Sequence, residues 1–243
     1  MKTFIKNWIN AAAMAGIIVG LAIAPVQSAF ANGSKPGVFS PDKNVFGKAF
    51  GDWSAAWWQW VLTIPPSTNP LNDVTGANCA VGQSSGPVFF LAGSFVGTVN
   101  RNCTIPRNKA VYFPIINAEC STVEPAPFRG DNEAELRTCA GKYGDAFDVR
   151  SLKVIVDGQQ VKCLEDYRAQ SPVFSFTLPA DPADNILGVT TTIGSSVDDG
   201  YYVMLQSLKP GNHTIHFEGT CKVGSFCYGS FSQNVTYYIT VPR

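Results

Sequence analysis

At Pro65-Pro66 the chain changes its hydrophobic period, and that change constrains the fold more than any other feature. Before it, Phe46, Phe50, Trp53, Trp57, Trp60, Val61 and Ile64 recur at spacings of three and four. At about 100° per residue they fall on one stripe of a helix, with Lys48, Asp52 and Gln59 opposite. Ser40-Pro41 offers an N-cap with proline at the first helical position. The pattern thus predicts one amphipathic helix from there to Ile64, stopped by the proline pair. After a turn-rich segment over 67–86, short apolar runs and alternation take over. Val88 to Ala92 and Ala110 to Ile116 read as strands buried on both faces or covered by the aromatic helix. Pro114 argues for an edge position or a bulge. Asp131 to Lys142 reads as a short helix with Asp131 as N-cap.

From Val149 onward every signal is β. Asp157-Gly158 marks a tight hairpin between apolar strands. Phe174, Phe176 and Leu178 alternate with polar residues, and Gly200 to Leu208 is a further strand. Lys209-Pro210-Gly211-Asn212 is a turn, followed by alternation through Ile215 and Phe217 and again through Val235, Tyr237, Ile239 and Val241. The expected class is mainly β: an antiparallel sandwich with an aromatic N-terminal helix and one short inserted helix.

The first 31 residues say where such a chain works. Lys2 and Lys6 precede an uncharged apolar core around 17–24, and Ala29-Phe30-Ala31 places small residues at a cleavage site. This predicts a signal peptide over 1–31, and a secreted or periplasmic protein. The remainder, 32–243, is expected to be one domain with an elaborated N-terminal half and a sub-boundary near 145. No later stretch is long and apolar enough to span a bilayer, so stable membrane insertion is not expected. The formal net charge is +0 and charged residues make up 15% of the chain, against roughly 25% in typical proteins. That argues against nucleic acid as a partner.

The 7 cysteines all follow the leader. In an oxidising compartment their default chemistry is disulfides with one thiol left over. Spacing does not fix which cysteines pair, since three bridges from seven can be drawn in about 105 ways; pairing of sequence neighbours, the favoured set, gives Cys79–Cys103, Cys120–Cys139 and Cys221–Cys227. Cys163 is then the odd thiol, either buried and reduced or linked to a partner. No C-x-x-C pair points to a metal, and no motif implies a cofactor.

Several motifs together carry a family likeness. They are Trp53-Ser54-Ala55-Ala56-Trp57-Trp58-Gln59-Trp60, Val88-Phe89-Phe90-Leu91-Ala92-Gly93, Cys103-Thr104-Ile105-Pro106, Lys109 to Asn117, Asp199-Gly200-Tyr201-Tyr202 and Leu208 to Ile215. With them the chain resembles a group of uncharacterised secreted bacterial proteins, over most of its length after the leader. That resemblance implies secretion and a β-rich fold, and it carries no activity. The C-terminal part is similar to immunoglobulin-like sandwiches in its turns and strands, so the sandwich is expected to be immunoglobulin-like or jelly-roll-like. Such a likeness does not fix function.

Chemical motifs are few. Gly82-Gln83-Ser84-Ser85-Gly86 has the spacing of a hydrolase nucleophile elbow, but an apolar strand rather than a helix follows it, so it reads as a turn. His213 and His216 point to opposite faces of one strand and cannot jointly hold a metal. Asp52, Glu119, Asp131, Glu133, Asp198 and Asp199 are candidate acids, yet no spacing singles out a glycosidase pair. Asp181, Asp184 and Asn185, or Asp198 with Asp199, have calcium-loop composition but read better as exposed turns.

Two residues stand out as candidate ligand contacts. Trp58 lies off the aromatic stripe beside Gly47 and Gly51, where a flat ligand could approach and stack. Glu119 follows a buried strand, where a site could form. The leading reading is a non-enzymatic module that binds a small ligand, a glycan or an envelope protein. A secreted hydrolase of carbohydrates or esters is the alternative, and a structural envelope component is the third.

Overall fold

The computed structural model describes residues 37–229 and 231–243. The expected leader over 1–31 lies outside them. Helix α1 runs Phe50–Leu62, so it begins later than its apolar spacing predicts. Phe46 and Gly47 adopt left-handed backbone conformations, with φ of 52° and 80°. Val45 and Lys48 exchange backbone hydrogen bonds across them. This tight turn takes the place of a first helical turn, and Ser40-Pro41 caps nothing. The Asp52 carboxylate then accepts from the Ala49 N–H at 2.9 Å and fixes the true start. At the other end the Asn69 amide donates to the Val61 and Ile64 carbonyls, at 2.8 and 2.9 Å. Buried helix-end carbonyls that would otherwise lack partners are thereby satisfied.

The strands follow in chain order: β1 (Val88–Phe90), β2 (Val99–Thr104), β3 (Ala110–Ser121), β4 (Lys153–Val156), β5 (Gln159–Gln160), β6 (Arg168–Gln170), β7 (Phe174–Thr177), β8 (Ile193–Leu205), β9 (Gly211–Thr220) and β10 (Ser232–Val241). Helix α2, Glu133–Ala146, lies between β3 and β4. Its N-cap is Asn132, whose side chain accepts from the Glu135 N–H, rather than Asp131. One sheet has the order β1-β3-β8-β6 with β7 also on β8, and the other β2-β10-β9-β4-β5. Pairing is antiparallel except for β1 on β3 and β2 on β10, which are parallel.

The protein is thus mainly β, a two-sheet sandwich with two helices. Phe113 of the first sheet stacks on Phe217 of the second, ring centroids 5.0 Å apart. On the opposite face Tyr112 meets Phe50 of α1 at 5.9 Å. So β3 is covered on both faces, by the second sheet and by the aromatic helix. The expected alternation holds along β9 and β10, where Ile215, Phe217, Val235, Tyr237, Ile239 and Val241 are all buried. Asp157-Gly158 turns β4 into β5, both residues at positive φ.

Pro114 sits at the register shift between Pro114 and Ile116. The bulge reading is borne out there, and Pro114 also lies past the end of the β1 pairing, which covers only Ala110 to Tyr112. The extra residue changes which side chains face α1. Tyr112 stacks on Tyr202, and five residues later the Asn117 amide donates to the same Tyr202 hydroxyl. An odd spacing on one face is possible only across a bulge. It carries Asn117 and Glu119 to the α1 side of the sheet.

The three disulfides are Cys79–Cys103, Cys120–Cys139 and Cys221–Cys227, as neighbour pairing predicts. They tie the loop before β1 to β2, β3 to α2, and close the β9–β10 loop. Cys163 is free and exposed, so the buried alternative is overturned. Its left-handed backbone turns its side chain out of the core ahead of a short 3-10 helix. No helix among the described residues is long and apolar enough to cross a membrane.

Candidate functional site

Helix α1 holds four tryptophans, and three of their indole N–H groups have backbone acceptors. Trp53 donates to Val45, Trp57 to Leu91 and Trp60 to Val81, each at 2.9 Å. Trp58 is the exception. Its Nε1 is buried and has no protein acceptor. A buried donor without a partner costs roughly 1–3 kcal/mol, so it needs an explanation.

Trp58 lines a cavity of about 500 Å³ beside α1. The walls come from α1, the loop over 93–97, the end of β3, the segment after β3 and the start of β10. Glu119 lines the same cavity, so the two ligand-contact candidates share one site. Trp58 is only 7% exposed and packs at right angles to the ring of Trp57. It is a wall of the cavity rather than an open stacking platform. The glycines expected beside it play other parts. Gly51 is small because the Gln170 carbonyl lies 2.4 Å from where a Cβ would stand, and Gly47 belongs to the turn before the helix.

Glu119 lies within β3 rather than after it. Its neighbour across the cavity wall is Glu124, which the sequence reading missed because the loop after β3 folds back. Burial pushes the Glu119 carboxyl well above the usual carboxylate range, and the charge of Glu124 adds to the effect. Burial also raises Glu124, while bonds from Glu119 and Ser121 offset part of the shift. The Ser121 hydroxyl donates to Glu124 at 2.7 Å. The Ser196 hydroxyl contacts both Glu119 and the Cys120 carbonyl. A hydroxyl has one proton to give. If Cys120 receives it, Glu119 bonds to Ser196 only as the protonated acid, in line with its raised pKa.

Behind the cavity runs a buried polar chain. Asn117, a lining residue, donates to the Tyr202 hydroxyl at 3.1 Å. Tyr202 donates to Asp198, and the Ser54 hydroxyl lies 2.8 Å from Asp198. Burial raises the Asp198 carboxyl to about 7, although bonds from Tyr202 and Ser54 pull it down. Its neighbour Asp199 faces α2, paired with Arg168 at 2.8 Å. Asp198 and Asp199 are therefore buried strand residues on opposite faces, not an exposed turn, and they cannot share one calcium ion.

The remaining candidates are accounted for locally. Asp181 accepts from the Ala183 N–H at the start of a short 3-10 helix, and Asn185 ties that loop together through Asp181 and Val189. Asp131 pairs with Arg129 and Glu133 with Arg137 on the surface. Ser84 sits in the turn before β1, where the Lys109 ammonium reaches the Ser85 carbonyl at 2.9 Å. His213 bridges Asp157 and the Lys209 carbonyl, and His216 bonds Thr236 and Glu218. Arg101, with no signal in the sequence, is buried; its Nε and Nη1 donate to the Asp73, Ala92 and Gly93 carbonyls and to Tyr237, while its Nη2, like the Trp58 indole, has no protein acceptor. A second hollow of about 520 Å³ lies over α2, beside Lys142 and Phe226. Among the described residues it contains no unpartnered buried polar atom.

No family model matches the sequence, and no curated protein matches it. Among solved structures the chain is similar to a cysteine protease inhibitor from Entamoeba histolytica. The identity is 11%, over 63% of this chain and 93% of that one, with a TM-score of 0.22. It is also similar to Amebosin, at 10% identity over 64% of this chain and 99% of that one, with a TM-score of 0.23. Likenesses this distant carry no argument about function.

Proposed function

We propose that the protein is a secreted or periplasmic binding module that holds a small ligand in the cavity between α1 and the end of β3. One observation carries the reading. Trp58, alone among the four indoles of α1, has an N–H with no protein acceptor, and it lines the cavity. The nitrogen has no free surface as the ring stands, so an occupant with an oxygen acceptor would satisfy it by drawing the ring edge toward the cavity. The cavity also has the composition of a small-molecule site: mostly apolar and aromatic walls with a few polar groups. Three disulfides and the predicted leader support the compartment.

The test is a thermal-shift screen of the oxidised protein against oligosaccharides, peptidoglycan fragments, lipids, ester analogues and amines. A ligand that binds only the folded state raises the melting point with dose. A dose-dependent shift that Trp58→Phe, which removes only the N–H donor, weakens while the melt stays cooperative supports the reading. A flat panel with a cooperative melt contradicts it and favours a structural role. The hydrolase alternative keeps one specific support: a buried carboxyl with a raised pKa is the form a general acid takes. Turnover of a bound glycoside or ester, lost in Glu119→Gln, would favour it over binding alone.

A further inference from the structure

The same cavity has a distinctive charge pattern. Glu119 and Glu124 line it, and no Lys, Arg or His is among its described lining residues. Two carboxyls therefore meet in one buried place with no cationic side chain of the protein in the wall. Around them stand the rings of Trp58, Phe95, Phe128 and Phe231. Aromatic faces beside carboxylates attract a positive charge that has lost its water. No group of three or more His, Cys, Asp or Glu side chains able to hold a metal ion is present among the described residues. The carboxyls are thus better matched to an organic cation than to a metal. Trp58 adds a second requirement: its unpartnered N–H, brought to the cavity by a turn of the ring, needs an oxygen acceptor on the occupant.

We infer that the cavity takes an organic ammonium compound that also carries a hydroxyl, the ammonium on Glu119 and Glu124 and the hydroxyl oxygen on the Trp58 indole. This rests on the cavity being a ligand site. Small amino alcohols and amino sugars share that chemistry. Binding carries a proton balance. Burial and mutual repulsion keep a proton on the pair when no cation is near. A cation favours the fully ionised pair, so the proton leaves to solvent as the ligand enters. Affinity should then rise with pH. Of the groups facing the pair, Asp198 from β8 reinforces this by opposing the Glu119 charge. The hydrogen bonds from Ser196 to Glu119 and from Ser121 to Glu124 act the other way and offset part of it. Tyr143 of α2 stays neutral, its pKa pushed up to about 12 by burial first and by the Glu124 charge second.

The experiment is isothermal titration of the oxidised protein with two matched pairs. Choline is compared with its neutral isostere 3,3-dimethylbutan-1-ol, and glucosamine with glucose, at pH 5 and pH 7 in buffers of different ionisation enthalpy. The expected result is that one cation binds about tenfold or more tightly than its neutral partner. It should bind more tightly at pH 7 than at pH 5 and release protons. Glu119→Gln and Glu124→Gln should each weaken it by about tenfold while keeping a cooperative melt. Binding of choline alone assigns the amino-alcohol source, and of glucosamine alone the amino-sugar source. Equal binding of cation and neutral partner overturns the inference, as does cation affinity indifferent to pH and to both variants. If both cations are silent while a neutral glycan shifts the melt, the inference falls and the ligand cavity stands. If the whole panel is silent, both fall.

Discussion

The Ser54 hydroxyl of α1 sits 2.8 Å from the Asp198 carboxyl of β8, 144 residues away in sequence. The contact joins the aromatic helix to the sheet through a group that is fully buried and titrates unusually. With the Asp198 pKa raised to about 7 from 3.8, the folded state binds a proton that the unfolded state releases. The stability contribution of this group is complete below about pH 4 and is lost as pH rises through about 7. Unfolding free energy measured by denaturant should therefore fall between pH 5 and pH 8. Asp198→Asn, which stays neutral, should flatten part of that fall. The shift corresponds to at most about 4 kcal/mol. A wild-type curve that rises over this range would contradict the assignment.

Arg168 should be strongly coupled to Asp199. It reaches Asp199 through Nε and Nη2, and Asp145 through Nη1 at 2.7 Å. Asp199 is only 3% exposed, and burial already lifts its pKa despite the Arg168 charge. Arg168→Met should cost about 3 kcal/mol at pH 7, because the carboxylate left behind is buried without its partner. The loss should shrink toward pH 4.5, because without the arginine the buried Asp199, whose pKa is already raised, takes up a proton more readily as pH falls. Equal losses at both pH values in denaturant melts would show that packing, not charge, is what the arginine supplies.

Gly51→Ala tests the approach of α1 to β6. Alanine favours helices over glycine by about 1 kcal/mol, so an open helix position would gain stability. Here the new Cβ meets the Gln170 carbonyl, a backbone atom, at 2.4 Å. Overpacking of that kind costs about 1–3 kcal/mol. The variant should melt below wild type. A higher melting point would mean that the helix and strand move apart freely.

Much of this architecture was legible in the sequence because it is written in periodicity. The stripe through Trp53, Trp57 and Trp60, the alternation through Tyr237 and Ile239, and the Asp157-Gly158 turn all give local signals. The neighbour pairing of the cysteines matches the structure, but no periodicity encodes it, and cysteine spacing alone does not choose a connectivity. The start of α1 was not legible, because Phe46 keeps the helical spacing while its left-handed backbone takes it out of the helix. The first half of β8 was hidden by Ser196, Asp198 and Asp199, polar residues that are buried only because partners from β3, α1 and β6 reach them. Strand β2 was hidden likewise by its buried Arg101. Trp58 and Glu119 could be named singly. Their meeting in one cavity depends on the bulge at Pro114, which sets the face Glu119 takes, and Glu124 joins them only through the fold of the following loop.

The most direct measurement is the indole N–H spectrum of the 15N-labelled protein, with Trp58 assigned by its loss in Trp58→Phe. Trp53, Trp57 and Trp60 already donate to carbonyls. A ligand found by the melting screen should move the Trp58 resonance downfield, as expected for a new hydrogen bond, and leave those of Trp53 and Trp60, which do not line the cavity, nearly still. A bound ligand that leaves Trp58 unmoved would contradict the cavity as the binding site.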